Sequence, residues 1–435
     1  MKPFFTISDP FLSKETSVDP MGIQKIWTRL AHEVFSDKLT TIANDIRIFS
    51  INLFHHYFIC KYYKEFHHLT KDKYTRLKSD KYDLKDLKLG ILIFLEDLTT
   101  LSFVLNKNNF DGSSIPGSLR ANGKLSEGDF TLAAFKESGF LKNQINLGMA
   151  GRYKGPLVSM KILDRHINYN PTLMTQLEEQ IVQWKETELL ENHLYHFITK
   201  LLFASENKGY PTLDFYQFKD KKAWTNLGNS YMECFGKRTI PRSFKKYFKS
   251  QLGLNDGGSA VVYNLIDTKN ISSTPVIFRT AVKTCKDPIE QNKLQRIVDW
   301  APILSHAEQV LRHISNPDSK SLDSVQKELE ILRDAIHKSQ PPISNILIDR
   351  QREILNVVCN DLDYINWIKG IVEYHKKIMN DRGGGAWLSI TEKNGIKHNF
   401  SNRYDFKTSK EYLSSGEWHH SYYIPTLKNF KTALG

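Results

Sequence analysis

Cysteine is scarce. Cys60, Cys234, Cys285 and Cys359 are the only four in 435 residues, and no two form a CxxC pair. Zinc knuckles take their ligands from closely spaced pairs, so no metal site of that kind is expected. So few thiols also leave nothing from which to build a disulfide framework, which fits a reducing, cytoplasmic setting. Long apolar runs are missing as well. The most hydrophobic stretch, residues 87–105, is interrupted by Lys88, Glu96 and Asp97. One charge near the centre of a bilayer costs about 2.5–3.5 kcal/mol, so this stretch reads as a buried core helix and no membrane partner is expected. The opening MKPFFTISDPFL has one basic residue and no extended apolar core, unlike a secretory signal. No nucleophile elbow, dinucleotide fingerprint, HExxH motif or Walker A lysine is present, so no cofactor is expected and the balance leans away from an enzyme. No fixed repeat period points to a solenoid.

Acidic residues are outnumbered, 48 Asp and Glu against 60 Lys and Arg, a formal charge of +12. Such an excess attracts polyanions, with DNA or RNA the foremost class. Hydrophobic residues at 40% and charged residues at 25% describe an ordinary globular chain, long enough for two to four folding units.

Periodicity and turn chemistry indicate a mainly α, multi-helical fold with a small C-terminal module containing a β-hairpin. An N-terminal helical domain spans residues 1–128. Within it, residues 22–66 read as helix, with Ile42, Ile46, Phe49, Leu53 and Tyr57 as one apolar stripe. Residues 67–82 read as a basic connector, Asp83 caps a helix to Leu105, and residues 106–128 read as loop. A central basic region spans residues 129–285. It begins with a short helix from Asp129 through Phe135, then a glycine-rich segment, then a long helix from Pro171 to about Glu206. Thr274–Thr284 carries enough β-branched and aromatic character for a strand. A C-terminal helical domain, residues 286–380, holds helices at 288–314, 321–338 and 343–379. The last module, residues 381–435, places Lys393-Asn394-Gly395 between two short alternating runs, a hairpin signal because Asn and Gly both accept positive φ. Residues 419–424, HHSYYI, would add a third strand.

Two basic segments stand out. In Gly236–Lys249, GKRTIPRSFKKYFK, Ile240, Phe244 and Phe248 fall on one side of a helix that Thr239 can cap and Pro241 can open. Arg242, Lys245, Lys246 and Lys249 then stay outside to meet phosphates, supported by Lys237 and Arg238. In Leu141–Pro156, LKNQINLGMAGRYKGP, the glycines permit close backbone approach to an anion, and Lys142, Arg152 and Lys154 add charge. Its Leu147–Gly151 stretch looks like the GxxG loop of a KH domain, but Gly155-Pro156 should end the helix that such a loop needs, and no GKS or GKT follows.

Other constellations carry less. Adjacent histidines at His55-His56, His67-His68 and His419-His420 point apart on a helix; His193 and His196 share a face without an HExxH arrangement. Asp214 to Lys219 resembles a nuclease fragment without a well-placed acidic partner, and His375-Lys376-Lys377 gives a single HxK late in an expected helix. Asp361 and Asp363 would diverge by about 160° on a helix. If the chain is an enzyme, a metal-dependent nuclease or other hydrolase, the acid–base residues to consider are Glu417, His419, His420 and His398, although Trp387, Trp418, Tyr422 and Tyr423 also read as the apolar face of a small sheet. The chain as a whole resembles accessory subunits of bacterial DNA-processing or phage-defence systems, a resemblance that covers no definable motif and transfers no site. The expectation is a nucleic-acid-contacting accessory subunit that works with other protein subunits; the competing reading is a helical interaction scaffold that binds no nucleic acid.

Overall fold

A computed structural model of the chain describes residues 19–76, 87–106, 115–128, 130–135, 138–164, 185–204, 212–214, 221–236, 240, 242–266, 273–399 and 407–435. Among the described residues are 17 α-helices and two antiparallel two-stranded sheets, so the chain is mainly α with a small C-terminal hairpin. No helix among them is long and apolar enough to cross a membrane.

The chain divides into two units, neither of them continuous in sequence. The first comprises Met1–Ser36 and Asp256–Ile424; the second comprises Asp37–Asn255 and Pro425–Gly435. In chain order, α1 (Ile23–Phe35) belongs to the first unit. The second unit follows with α2 (Ile46–Arg76), α3 (Leu87–Leu105), α4 (Ser118–Glu127), β1 (Thr131–Ala133), α5 (Gln144–Leu147), α6 (Met149–Ser159), α7 (Lys185–Ala204), β2 (Thr212–Asp214), α8 (Lys221–Phe235) and α9 (Arg242–Gln251). The first unit resumes with α10 (Gly257–Leu265), α11 (Thr274–Thr284), α12 (Pro288–Ser315), α13 (Leu322–Lys338), α14 (Asp349–Val358), α15 (Tyr364–Asp381), β3 (Leu388–Ile390), β4 (Ile396–His398) and α16 (Ser409–Ser415). The last helix, α17 (Ile424–Leu434), begins at the unit boundary and returns the chain to the second unit.

In the second unit α3 is the central helix. Nearly every side chain from Leu87 to Val104 is buried, which explains its unbroken hydrophobicity without a bilayer. Two carboxylates, Glu96 and Asp97, are buried with it. The apolar stripe of α2 is present from Ile46 onward, but Ile42 lies before the helix and is 61% exposed. In the first unit α12 occupies the comparable place, with Trp300 fully buried and its indole donating to the Asn345 carbonyl at 3.1 Å. Asp287 caps α12, accepting from the amides of Ile289 and Glu290, with Pro288 in the first turn.

The hairpin is as the Asn-Gly signal indicates, with Leu388 opposite His398 and Ile390 opposite Ile396. Only Asn394 adopts positive φ, however, at 59°, because Gly395 is held extended by an isolated bridge to Ser321 at the cap of α13.

Several local expectations are corrected. Residues 67–76 continue α2; they contain no Pro or Gly, and a segment without an apolar stripe gives periodicity nothing to detect. Within 106–128, expected as loop, α4 buries only Ala121, which hides it in the same way. The expected helix at 129–135 is β1, whose partner β2 pairs Leu132 with Leu213 from a distant part of the chain. Thr274–Thr284 is helical: Pro275 sits in the first turn and Ile277, Phe278 and Ala281 share the buried face, so packing overrides β propensity. The expected helix over 343–379 breaks between Val358 and Tyr364, where Asp363 accepts from the Asn366 amide and caps α15. HHSYYI is not a strand. Tyr422 and Tyr423 have φ of 44° and 63°, a left-handed turn incompatible with extended pairing, and α17 starts at Ile424. The expected cap at Asp83 and the expected helical residues 171–184 lie outside the described residues.

Candidate nucleic-acid interface

The helix α9 forms where its aromatic stripe requires it. Phe244 and Phe248 are 1% and 0% exposed, and Ile240 just before the helix is buried with them. Lys246 is exposed and Lys245 and Lys249 half-buried. At 100° per residue the three lysines fall within about 100° of arc, turned away from the phenylalanines. Lys249 lies in the last turn, where a cation complements the carbonyl end of the helix, and its Nζ donates to the Gly435 carbonyl at 3.1 Å. Arg242 opens α9, but its side chain, like Lys237 and Arg238, lies outside the described residues.

Phe49 of α2 ties α9 to two further basic helices. Its ring centroid is 4.7 Å from that of Tyr153 on α6, edge to face, and 5.9 Å from those of Phe248 on α9 and Phe430 on α17. Tyr153 is fixed in turn by its hydroxyl, which accepts from the Asp45 amide at 3.2 Å. The three helices carry Arg152, Lys154, Arg242, Lys245, Lys246, Lys249, Lys428 and Lys431, and not one Asp or Glu. Arg152 is exposed; Lys154, Lys428 and Lys431 are half-buried. Among the described residues no carboxylate pairs with Arg152, Lys154, Lys245, Lys246 or Lys428. Helices that meet at one core residue and carry charge of one sign create a positive field.

Two of the sequence-selected segments are therefore brought together, the basic helix and the Arg152–Lys154 end of the glycine-rich segment. Lys428 and Lys431 were missed because the tail pattern suggests a strand and conceals α17. Lys142 is exposed in the turn before α5, and no contact links it to α9 or α17.

The glycine-rich segment itself is occupied from inside. Glu96 is 1% exposed and accepts from the Ala150 amide at 2.6 Å and from Gln144 Nε2 at 2.5 Å, so its carboxylate sits at the N-terminus of α6. Burial pushes the Glu96 carboxyl up to about 7, opposed by the hydrogen bonds from Ala150, Gln144 and Met149. Asp97, also pushed up by burial, accepts from the Phe140 amide at 3.2 Å. The amides that suggest a phosphate cradle thus face a protein carboxylate. Gly148 is required there because a Cβ would stand 2.1 Å from Glu96 Oε2. Nor do Gly155 and Pro156 end the helix. α6 runs through both, and burial of Met149, Tyr153, Pro156 and Leu157 outweighs the roughly 3 kcal/mol that an interior proline costs.

The other constellations resolve into structural roles. His375 accepts from the Trp387 amide at 2.9 Å through Nε2 and meets the Pro20 carbonyl at 2.8 Å through Nδ1, which identifies a neutral Nδ1–H imidazole. His398 donates to the Ser319 carbonyl, and Glu417 pairs with Lys407 on the surface. His419 stacks on Tyr412 at 5.2 Å and His420 on Trp27 at 4.7 Å, so the acid and base residues of the C-terminal module are not assembled around one point. His55 lies 3.0 Å from the Tyr231 hydroxyl and 3.2 Å from Thr99 Oγ1, and burial first, then His56, pushes it down to about 3. His193 meets Ser230 at 3.0 Å while His196 is exposed. Among the described residues no group of three or more His, Cys, Asp or Glu could hold a metal ion. The chain matches no family model, no curated protein and no solved structure.

Proposed function

We propose that the chain is a nucleic-acid-contacting accessory subunit of a larger cytoplasmic assembly, of the kind used in bacterial DNA processing or phage defence, and that α6, α9 and α17 carry the contact. One observation supports this reading above the others: three helices without a single Asp or Glu meet at Phe49, and Arg152, Lys154, Lys245, Lys246 and Lys428 on them have no carboxylate partner among the described residues. Such a face gains from releasing the counterions condensed on a phosphate backbone. The four cysteines, all free, are compatible with a reducing compartment.

Fluorescence anisotropy of labelled DNA or RNA across a salt series tests the contact. Binding should weaken steeply with salt, and Lys245→Ala with Lys246→Ala should flatten the slope by about two units while stability changes by no more than about 0.5 kcal/mol. A normally folded double variant that binds as tightly as the parent at every salt concentration would refute the assignment.

A further inference from the structure

The same helices say which form of nucleic acid fits. Proteins that hold single strands combine a basic groove with exposed aromatic rings on which the bases stack. Here no aromatic of α6, α9 or α17 is exposed. Tyr153 and Phe244 are 1% exposed, Phe248 and Phe430 0%. Tyr247 is half-buried, its hydroxyl is shielded from solvent, and its ring meets Phe248 edge-on at 5.5 Å. What these helices expose is Arg152 and Lys246 with small or polar residues such as Ser250, Asn429 and Thr432, and no ring.

We infer, building on the nucleic-acid reading above, that the face takes a double-stranded segment by its phosphates, without stacking on bases and without reading sequence. A duplex offers one charge per roughly 1.7 Å of axis, twice the linear density of one of its strands, so a surface that offers cations but no stacking rings gains most from it. The face is also discontinuous. Lys246 and Lys428 come from parts of the chain far apart in sequence, so it exists only in the folded unit.

The test uses the full chain and two fluorescein-labelled probes of about 20 nucleotides, a DNA duplex and an unstructured single strand of the same length, titrated from low to physiological salt. The duplex should bind at least about tenfold more tightly at low salt, independently of its sequence, with a salt slope near 0.9 per phosphate contacted. Charge reversal at two positions, Lys246→Glu and Lys428→Glu, should reduce duplex affinity by roughly a hundredfold, the product of about tenfold at each site. Equal or tighter binding of the single strand overturns the duplex inference and leaves the nucleic-acid reading intact. Failure of folded protein to bind either probe at low salt overturns both. Unchanged duplex binding by the charge-reversed protein, with a native circular dichroism spectrum, removes the face from the interaction.

Discussion

Glu96→Gln is the most informative perturbation of the second unit, because it changes the charge at the N-terminus of α6 while keeping the shape. The folded protein holds the Glu96 proton up to about pH 7, against an ordinary value of 4.5. A folded-state value above the unfolded one means that the folded chain binds the proton more tightly. The stability contribution is therefore greatest below pH 4.5, declines as pH rises toward 7 and is level above it. Between pH 5 and pH 8 the loss is about 2.5 kcal/mol, from 1.36 kcal/mol per unit weighted by the protonated fractions. Glutamine does not titrate, but its amide nitrogen must face either the Ala150 amide or Gln144 Nε2, leaving a buried donor unsatisfied at a cost of about 1–3 kcal/mol. The variant should be clearly weaker than the parent at pH 5 and should match or exceed it at pH 8. Urea unfolding at both pH values, with hydrogen exchange of α3 and α6 amides reporting on this unit, measures the difference. Other groups titrate in both proteins and largely cancel, except Asp97, whose carboxyl Glu96 itself helps to push up after burial. A parent-to-variant gap that is the same at pH 5 and pH 8 would refute the argument that burial governs this carboxyl.

Gly148→Ala places a methyl 2.1 Å from Glu96 Oε2 and 2.5 Å from the Gln144 carbonyl, so it should destabilise by about 1–3 kcal/mol, read as a lowered urea midpoint. Phe49→Ala should cost about 3–5 kcal/mol and weaken duplex binding beyond that, since α6, α9 and α17 lose their shared contact; an unchanged melting temperature would count against the convergence. His375→Leu strands the Trp387 amide and should lower stability by about 2–4 kcal/mol, with hydrogen exchange at Trp387 rising first. Asp363→Ala removes the cap of α15 and should cost about 1 kcal/mol in chemical denaturation.

The class of the fold was readable from the sequence because α12, α13 and α15 repeat apolar residues at helical spacing and Asn394-Gly395 marks the hairpin. Elements without a one-sided stripe were not. α4 buries one residue, and the extension of α2 past residue 66 shows no stripe to betray it. β1 is defined by pairing with β2 across a long separation, which no local window contains. The basic helix α9 could be recognised because Phe244 and Phe248 alternate with lysines within one segment. Its partner α17 could not, since Tyr422 and Tyr423 look like strand residues and only their left-handed turn reveals a helix start. The role of Glu96 was equally hidden. A lone acid in a hydrophobic run suggests an interruption, and nothing nearby in sequence announces the amides of Met149 and Ala150 that it faces.

The return of the chain to the second unit at Pro425 has a consequence for synthesis. By the time Asn255 emerges from the ribosome, every part of that unit except α17 has been made. The first unit's residues 256–424 must then be translated before Phe430 can reach Phe49, a wait of roughly 10–30 s at 5–20 residues per second. Throughout that interval Phe49 lacks one aromatic neighbour, and the set of cations around it lacks Lys428 and Lys431. A nascent chain thus lacks two cations of the proposed phosphate-contacting face while it is still beside ribosomal RNA, and it gains them only once residues 425–435 have been made.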